Sequence, residues 1–258
     1  METDVAHARD STPCTAGGRA VATGGTSDVA RVGSRIMLTA MRGVPPTIVG
    51  VVLAAGKSTR MGRRKASLDL DGSDTYLTRL VRTFIEAGVE ETVVVLGADR
   101  AALEVELERS GLAAKTTFNA DFEQGQLSSL IAGLNAATAP ERVEDGAPWR
   151  VEAVLLGLVD APLVSARTVR AVIDRYLETG AAVVRPVRER KHGHPVLIDR
   201  SLFDAIRRAD PATGAKPIVR AHVSASGEVE IDDEAAFMDI DTPEAHDRAI
   251  QWWRSQPV

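Results

Sequence analysis

The chain has one cysteine, Cys14. No disulfide can close within it, and a reducing, cytoplasmic setting is the expectation. Cys14 lies in a segment poor in large apolar residues and receives no catalytic role. Aromatic residues are scarce, at 4%, so the apolar content is aliphatic, as in many α/β proteins. Excess positive charge is also missing. The formal net charge is -5, which argues against a general basic field for nucleic acid or membrane surfaces. No uncharged apolar run reaches membrane-spanning length. What is left is a chain of 258 residues, long enough to bury one sizeable core with a tail.

Residues 1–40 are rich in Ala, Gly, Thr, Ser and Asp and show no helical or strand period. Such a segment cannot offset its ordering entropy by burial, and it lacks the apolar core of a secretory signal. Residues 1–45 are therefore expected to form a disordered extension, with one folded domain over 46–258. Met41 stands just before the first strand, so the extension reads as upstream sequence that the fold does not need. A partner-binding arm is the alternative.

From Pro46 onward, strand and helix signals alternate. Residues 48–53, 92–96 and 153–159 are short aliphatic runs, as expected for strands covered on both faces. Leu77, Leu80, Val81 and Phe84 fall at helical spacing before Gly88. Leu127, Leu130, Ile131 and Leu134 repeat that spacing, as do Val169, Val172, Ile173 and Tyr176 before Gly180. The alternation predicts a mainly parallel sheet with helices on both faces. Ligands bind such sheets beyond the carboxyl ends of the strands.

Two common phosphate-binding spacings are absent from the turn after the first strand. A Walker A motif needs a glycine at 51, which is Val51, and the dinucleotide pattern G-x-G-x-x-G does not occur. The turn instead reads Leu53-Ala54-Ala55-Gly56-Lys57-Ser58-Thr59-Arg60-Met61-Gly62-Arg63-Arg64-Lys65. Glycine lets a backbone approach a ligand closely, and Arg60 and Lys65 add positive charge. This is a place to hold a polyphosphate. The plainer alternative is a strand-to-helix turn with solvated basic residues.

Other motifs follow in order. Asn119, Gln124-Gly125-Gln126 and Ser128-Ser129 stand between a strand-like stretch and a helix start, where free N–H groups can meet anions or base carbonyls. Asp160 emerges from a buried run, placed to hold a hard cation such as Mg²⁺. The plainer reading makes it a turn residue or a cap, a task Ser165 could do as well. Asp239-Ile240-Asp241 alternates two carboxylates that point the same way, and Asp241 or Thr242 could cap a helix begun by Pro243. His192-Gly193-His194-Pro195 reads as a turn before a strand and is weak as a zinc set. The nearby Arg185, Arg188, Arg190 and Lys191 form a solvated basic loop or a receptor for a phosphate.

In this order, these motifs resemble those of the molybdenum cofactor cytidylyltransferase-like family of nucleotidyltransferases. The likeness runs over roughly 49–250, nearly the whole globular part. It implies a Rossmann-like three-layer α/β/α sandwich with a mostly parallel sheet, similar to nucleotide-diphospho-sugar transferases. It makes 46–258 a nucleotidyltransferase domain. It further implies transfer of a nucleoside monophosphate from a triphosphate to a phosphate-bearing acceptor with Mg²⁺. Carried over by position, Leu53, Ala54, Ala55, Gly56, Arg60 and Lys65 bind the triphosphate, and Asn119, Gly125 and Ser128 lie near the nucleoside. Asp160 and Asp241 hold the metal. Gly193, His194 and Pro195, with the segment at Gly214, face the acceptor. Arg60, Lys65 and Asp160 are the expected catalytic groups.

The stretch from Leu68 to Leu77 is more acidic than the family's usual Leu-Pro-rich segment, and Ala161 replaces a larger residue. Both departures bear on the acceptor. The expected acceptor is molybdopterin or its molybdenum cofactor, with a molybdoenzyme as partner. A sugar phosphate and a non-turnover accessory protein for molybdenum hydroxylases are the alternatives. The family's guanylyl enzymes carry Leu-Ala-Gly-Gly where this chain has Leu53-Ala54-Ala55-Gly56, so CTP is the expected nucleotide.

Overall fold

The computed structural model describes residues 46–58, 61–139, 143–144, 147–148 and 150–256. The expected extension over 1–45 and the expected catalytic Arg60 lie outside the described residues.

The chain opens with β1 (Thr47–Ala54), α1 (Tyr76–Glu86), β2 (Glu91–Leu96), α2 (Arg100–Ser110), β3 (Lys115–Phe118) and α3 (Gln126–Ala137). A small antiparallel pair, β4 (Val143–Glu144) and β5 (Ala147–Pro148), precedes β6 (Val151–Leu158) and α4 (Ala166–Thr179). Then come β7 (Val183–Arg188), β8 (Lys191–His192), β9 (Val196–Asp199), α5 (Phe203–Arg207), α6 (Lys216–Ala221), β10 (Glu228–Glu230) and α7 (Pro243–Ser255).

The main sheet runs β10-β7-β9-β6-β1-β2-β3, with β8 beside β7. β3, β2, β1 and β6 pair in parallel, as do β7 and β10. Only β8 and β9 run against the rest. The sheet is therefore mostly parallel, as expected. The reversal at β9 was not legible, because a four-residue run carries no sign of its direction.

β1 shows why both faces must be covered. Val52 and Ala54 point into one apolar layer, with Leu80, Phe84 and Val172. Val49, Val51 and Leu53 point into the other, with Leu130, Leu134 and Phe203. The two-residue period of a strand makes this division automatic. Helices on each side complete an α/β/α sandwich.

The helix signals act as the sequence suggested. Thr75 Oγ1 accepts from the Thr78 N–H at 3.3 Å, and Thr78 Oγ1 accepts from the Thr75 N–H at 2.8 Å, a reciprocal cap on α1. Gly88, with φ 87, lets the chain leave α1. Ser165 caps α4, its Oγ accepting from the Thr168 N–H at 3.2 Å. Asp160 is thus not needed as a cap. Thr242 rather than Asp241 caps α7, accepting from the Ala245 N–H at 3.2 Å. α2 escaped sequence reading because it buries only Leu103 and Leu107.

Phe84 fixes how closely α1 approaches the sheet. Its ring lies over two neighbouring glycines, Gly50 of β1 and Gly157 of β6. A Cβ at Gly50 would stand 2.7 Å from Phe84 Cδ2, and one at Gly157 would stand 2.8 Å from Phe84 Cζ. Replacing Gly157 with Ala should lower stability by about 1–3 kcal/mol through overpacking. Thermal unfolding reads the loss, and the double variant Gly157→Ala/Phe84→Leu should recover part of it. An unchanged melting temperature in Gly157→Ala would refute this packing account.

Candidate active site

The chain moves outward from β1 through β2 to β3, then returns to place β6 on the other side of β1. In such sheets a crevice opens at the carboxyl ends of the two strands where the direction of travel reverses. The end of β1 leads into Ala55-Gly56, and the end of β6 leads into Val159-Asp160. Between them lies a cavity of about 360 Å³, whose walls include Gly56, Lys65, Gly125, Ser129, Asp160 and Asp241. Loop, helix start and acidic turn therefore share one rim, as the sequence predicts.

The loop is braced from within. Ser58 has φ 52, an uncommon conformation for a residue with a side chain. Its carbonyl accepts from the Met61 N–H at 3.0 Å, and its Oγ accepts from the Lys65 N–H at 3.1 Å. Gly97 lets the end of β2 come close, since a Cβ there would stand 2.3 Å from the Ala55 carbonyl oxygen. By contrast, a Cβ at Gly56 would meet nothing within 4 Å. Packing within the protein does not require glycine at 56.

Lys65 begins a short 3₁₀ turn and is 8% exposed. Its Nζ pairs with Asp241 Oδ1 and stands 3.9 Å from Asp160 Oδ2. The lysine was expected to face phosphate. Here it joins the two expected metal carboxylates. Asp239 is the third member of the group: one oxygen each from Asp160, Asp239 and Asp241 lies within 4.8 Å of the others. The alternation Asp-Ile-Asp explains this, because both carboxylates leave the same side of an extended segment.

Ile240 points the other way and is 1% exposed. It sits in a small apolar cluster with Met61, Leu68, Tyr76, Leu163 and Ala249. Its N–H donates to the Asp160 carbonyl at 2.9 Å. Burial pushes the Asp160 carboxyl above its ordinary pKa. Lys65 opposes that rise, and Asp239 and Asp241 add to it.

The helix-start motif divides in two. Asn119 Nδ2 donates to Ser128 Oγ at 2.9 Å and to Ser129 Oγ at 3.0 Å, while its Oδ1 accepts from the Asp121 N–H at 3.0 Å. Ser128 Oγ donates to the carbonyls of Asp121 and Gly125. These residues tie the turn to α3 and are not part of the cavity wall. Gly125, with φ 104, does line it. So do Gln126 and Ser129 of the same motif, and Phe122, which the sequence did not single out. Gln126 and Ser129 are three apart, on one face of a helix.

Gly193, His194 and Pro195 lie outside the cavity wall and support the acidic segment. The Gly193 N–H donates to the Pro186 carbonyl at 3.0 Å, and the His194 N–H to the Ala236 carbonyl at 2.8 Å. Gly193 is required here, since a Cβ would stand 2.4 Å from the Ala236 oxygen. His194 Nδ1 is buried with no partner. Desolvation pushes the His194 pKa down to about 4, against a hydrogen bond to the Leu156 backbone, so the ring is neutral at pH 7. In the basic cluster nearby, Arg185 pairs with Glu228 at 3.0 Å and Arg188 approaches Asp232 at 3.5 Å.

The profile of the MobA-like NTP transferase domain matches residues 50–226, which contain both strand ends, Lys65 and Asp160. The chain belongs to this family. It is a nucleotidyltransferase of the MobA-like type. A nicotine blue oxidoreductase of Paenarthrobacter nicotinovorans is 28% identical over 206 residues, 77% of this chain and 94% of that protein. A probable molybdenum cofactor guanylyltransferase of Opitutus terrae is 35% identical over 119 residues, 46% of this chain and 50% of that one. In fold, the chain resembles a nucleotidyl transferase from Methanothermobacter thermautotroptrophicus, with TM-score 0.63 and 24% identity, over 81% of this chain and 99% of that chain. Among the described residues no helix is long and apolar enough to cross a membrane.

Asp160 leads to a prediction of opposite sign for stability and for binding. Its folded-state carboxyl holds a proton to higher pH than an unfolded one, so ionising it above 3.8 costs stability. Asp160→Asn removes that cost. In chelator at pH 7 it should raise the melting temperature. The same variant should lose most of any stabilisation by divalent cation, and the wild type should lose it as pH falls. A lower melting temperature in chelator would show that Asp160 is a structural ion-pair partner of Lys65.

Proposed function

We propose that the protein transfers a nucleoside monophosphate, CMP in preference, from its triphosphate to a phosphate-bearing acceptor of molybdopterin type, releasing pyrophosphate. The observation that carries this reading is the meeting of Lys65, Asp160, Asp239 and Asp241 at the mouth of the cavity beneath the Leu53-Ala54-Ala55-Gly56 turn.

The donor set suits a divalent cation. Three carboxylate oxygens at this spacing are hard ligands of the kind Mg²⁺ takes alongside water and phosphate. Asp160, Asp241 and Asp239 would hold it, and when bound it would neutralise charge on the phosphates. The rest falls to the chain. An acceptor phosphate oxygen forms a bond to the α-phosphorus while the bond to the β-phosphate oxygen breaks, and pyrophosphate leaves. No protein nucleophile is needed. Positioning and charge stabilisation are the protein's tasks.

Gly56 presents backbone to the phosphates from a place where a side chain would enter open space. Lys65 exchanges its carboxylate partner for phosphate oxygen, and Arg60 adds a second positive charge. Gly125, at the start of α3, borders the nucleoside, and Asn119 and Ser128 hold that turn in place. Gly193, His194 and Pro195 act on the acceptor side by setting the segment that leads to Asp239.

A second reading is a nucleotide-binding accessory protein for molybdenum-hydroxylase maturation, without turnover. The observation behind it is the Lys65–Asp241 pair, which engages a carboxylate that the metal would use. Pyrophosphate release from each triphosphate, with molybdopterin and sugar phosphates as acceptors, separates the two. An assay of nicotine blue oxidation or reduction tests the activity named for that relative.

Two outcomes are expected. Lys65→Ala should cut pyrophosphate release by about 10²–10³-fold, the usual loss for one preorganised donor. CTP should bind more tightly than GTP: Ala55 lines the cavity, and on the proposed reading its methyl, where the family's guanylyl enzymes carry glycine, leaves less room for a purine. One methyl group is worth about 1–3 kcal/mol, and Ala55→Gly should move the balance towards purines. Tightest binding of GTP by the wild type would overturn the base assignment while leaving the transfer reaction standing.

A further inference from the structure

The loop that carries Lys65 borders a second cavity, of about 680 Å³. Met61, Lys65 and Ala66 turn to the first cavity. Arg63, Arg64 and Ser67 turn to the second, where Arg109 of α2 faces them. The two cavities share no lining residue.

Charge in the second cavity runs against the whole molecule. The chain is net negative, at -5, yet the wall carries Arg63, Arg64 and Arg109 and a single carboxylate, Glu106. Both oxygens of Glu106 are engaged: Oε2 accepts from Ser67 Oγ at 2.7 Å, and Oε1 accepts from Thr75 Oγ1. Arg64 approaches Asp99 only at 3.7 Å. Among the described residues neither Arg63 nor Arg109 forms an ion pair. Three guanidinium groups around one concavity offer paired N–H donors that match phosphate oxygens. A solvated basic face would be convex, with its charges spread apart. This one is a pocket large enough for several phosphate groups.

We propose that this cavity is a second, non-catalytic site for a polyphosphate anion. Inorganic polyphosphate and the phosphate end of a free nucleotide share the required chemistry. The site is independent of the transfer reaction proposed above, since none of its residues takes part in it.

Calorimetric titration of the full chain in chelator and low salt tests the proposal, with inorganic tripolyphosphate and ATP as separate probes. Without metal the carboxylates of the first cavity disfavour phosphate, so wild type should bind one equivalent of tripolyphosphate. Lys65→Met should keep it, and that site should weaken with added salt. Arg63→Gln/Arg109→Gln should weaken the retained site roughly tenfold or more while leaving the melting temperature unchanged, both side chains being exposed. Equal affinity for both probes assigns the site to phosphate alone, and tighter ATP binding adds a base contact. Loss of all binding in Lys65→Met, or no effect of the arginine changes, would overturn the proposal. Either result would leave the catalytic reading intact.

Discussion

Three carboxylates held within 4.8 Å of one another repel, so something other than charge must bring them together. Ile240 does so. Its side chain is buried between the Asp160 turn, the Met61 loop and α7, and its N–H is bonded to the Asp160 carbonyl. Burying an isoleucine side chain is worth about 1.5–3 kcal/mol, and a backbone hydrogen bond adds about 1 kcal/mol. Those terms are enough to hold two exposed or half-exposed acids against a third that is partly desolvated. Lys65 offsets one charge of the three. The remainder stays negative and open to the cavity, which is the condition for taking up a cation.

That arrangement depends in turn on the order of strands. β1 and β6 are parallel neighbours, so the Ala55-Gly56 turn and the Asp160 turn leave the sheet side by side. Glycine decides how tightly the layers close beneath that point. Gly50 and Gly157 admit Phe84 from one side, and Gly133 admits Val51 on the other, where an added Cβ would lie 2.5 Å from Val51 Cγ1. Gly97 lets β2 end against Ala55. The loop is therefore set by contacts below it and by Ser58 within it. Its cavity side is left open at Gly56.

Much of this was legible in the sequence, for physical reasons. Aliphatic runs of strand length and i, i+3, i+4 stripes report burial directly, so β1, β2, β6, α1, α3 and α4 could be read. The acid pair could be read because a strand places alternate residues on one side. Other features could not. α2 shows the solvent mostly polar residues and buries only two leucines. The antiparallel β9 depends on a hairpin-like return whose direction no local pattern encodes. The bonds of Asn119 and Ser128 could not be read from a helix start alone. Asn119 donates to Ser128, Ser128 donates to the carbonyls of Asp121 and Gly125, and Gln126 and Ser129 of the same helix start line the cavity. The partner of Lys65 was invisible because it lies 176 residues along the chain.

Lys65 makes the charge balance conditional on what is bound. It pairs with Asp241 and also approaches Asp160. An ammonium nearly excluded from water cannot simply be left without a partner, since a buried unpaired charge is costly. A divalent cation arriving alone would compete with Lys65 for the same carboxylates. A triphosphate arriving alone would face the negative group that Lys65 only partly masks. Arriving together, each would resolve the other's difficulty: Asp160, Asp239 and Asp241 would hold the cation, and Lys65 would hold phosphate oxygens. On the proposed reaction, the ion pair that steadies the loop would therefore favour joint uptake of metal and nucleotide over either one alone.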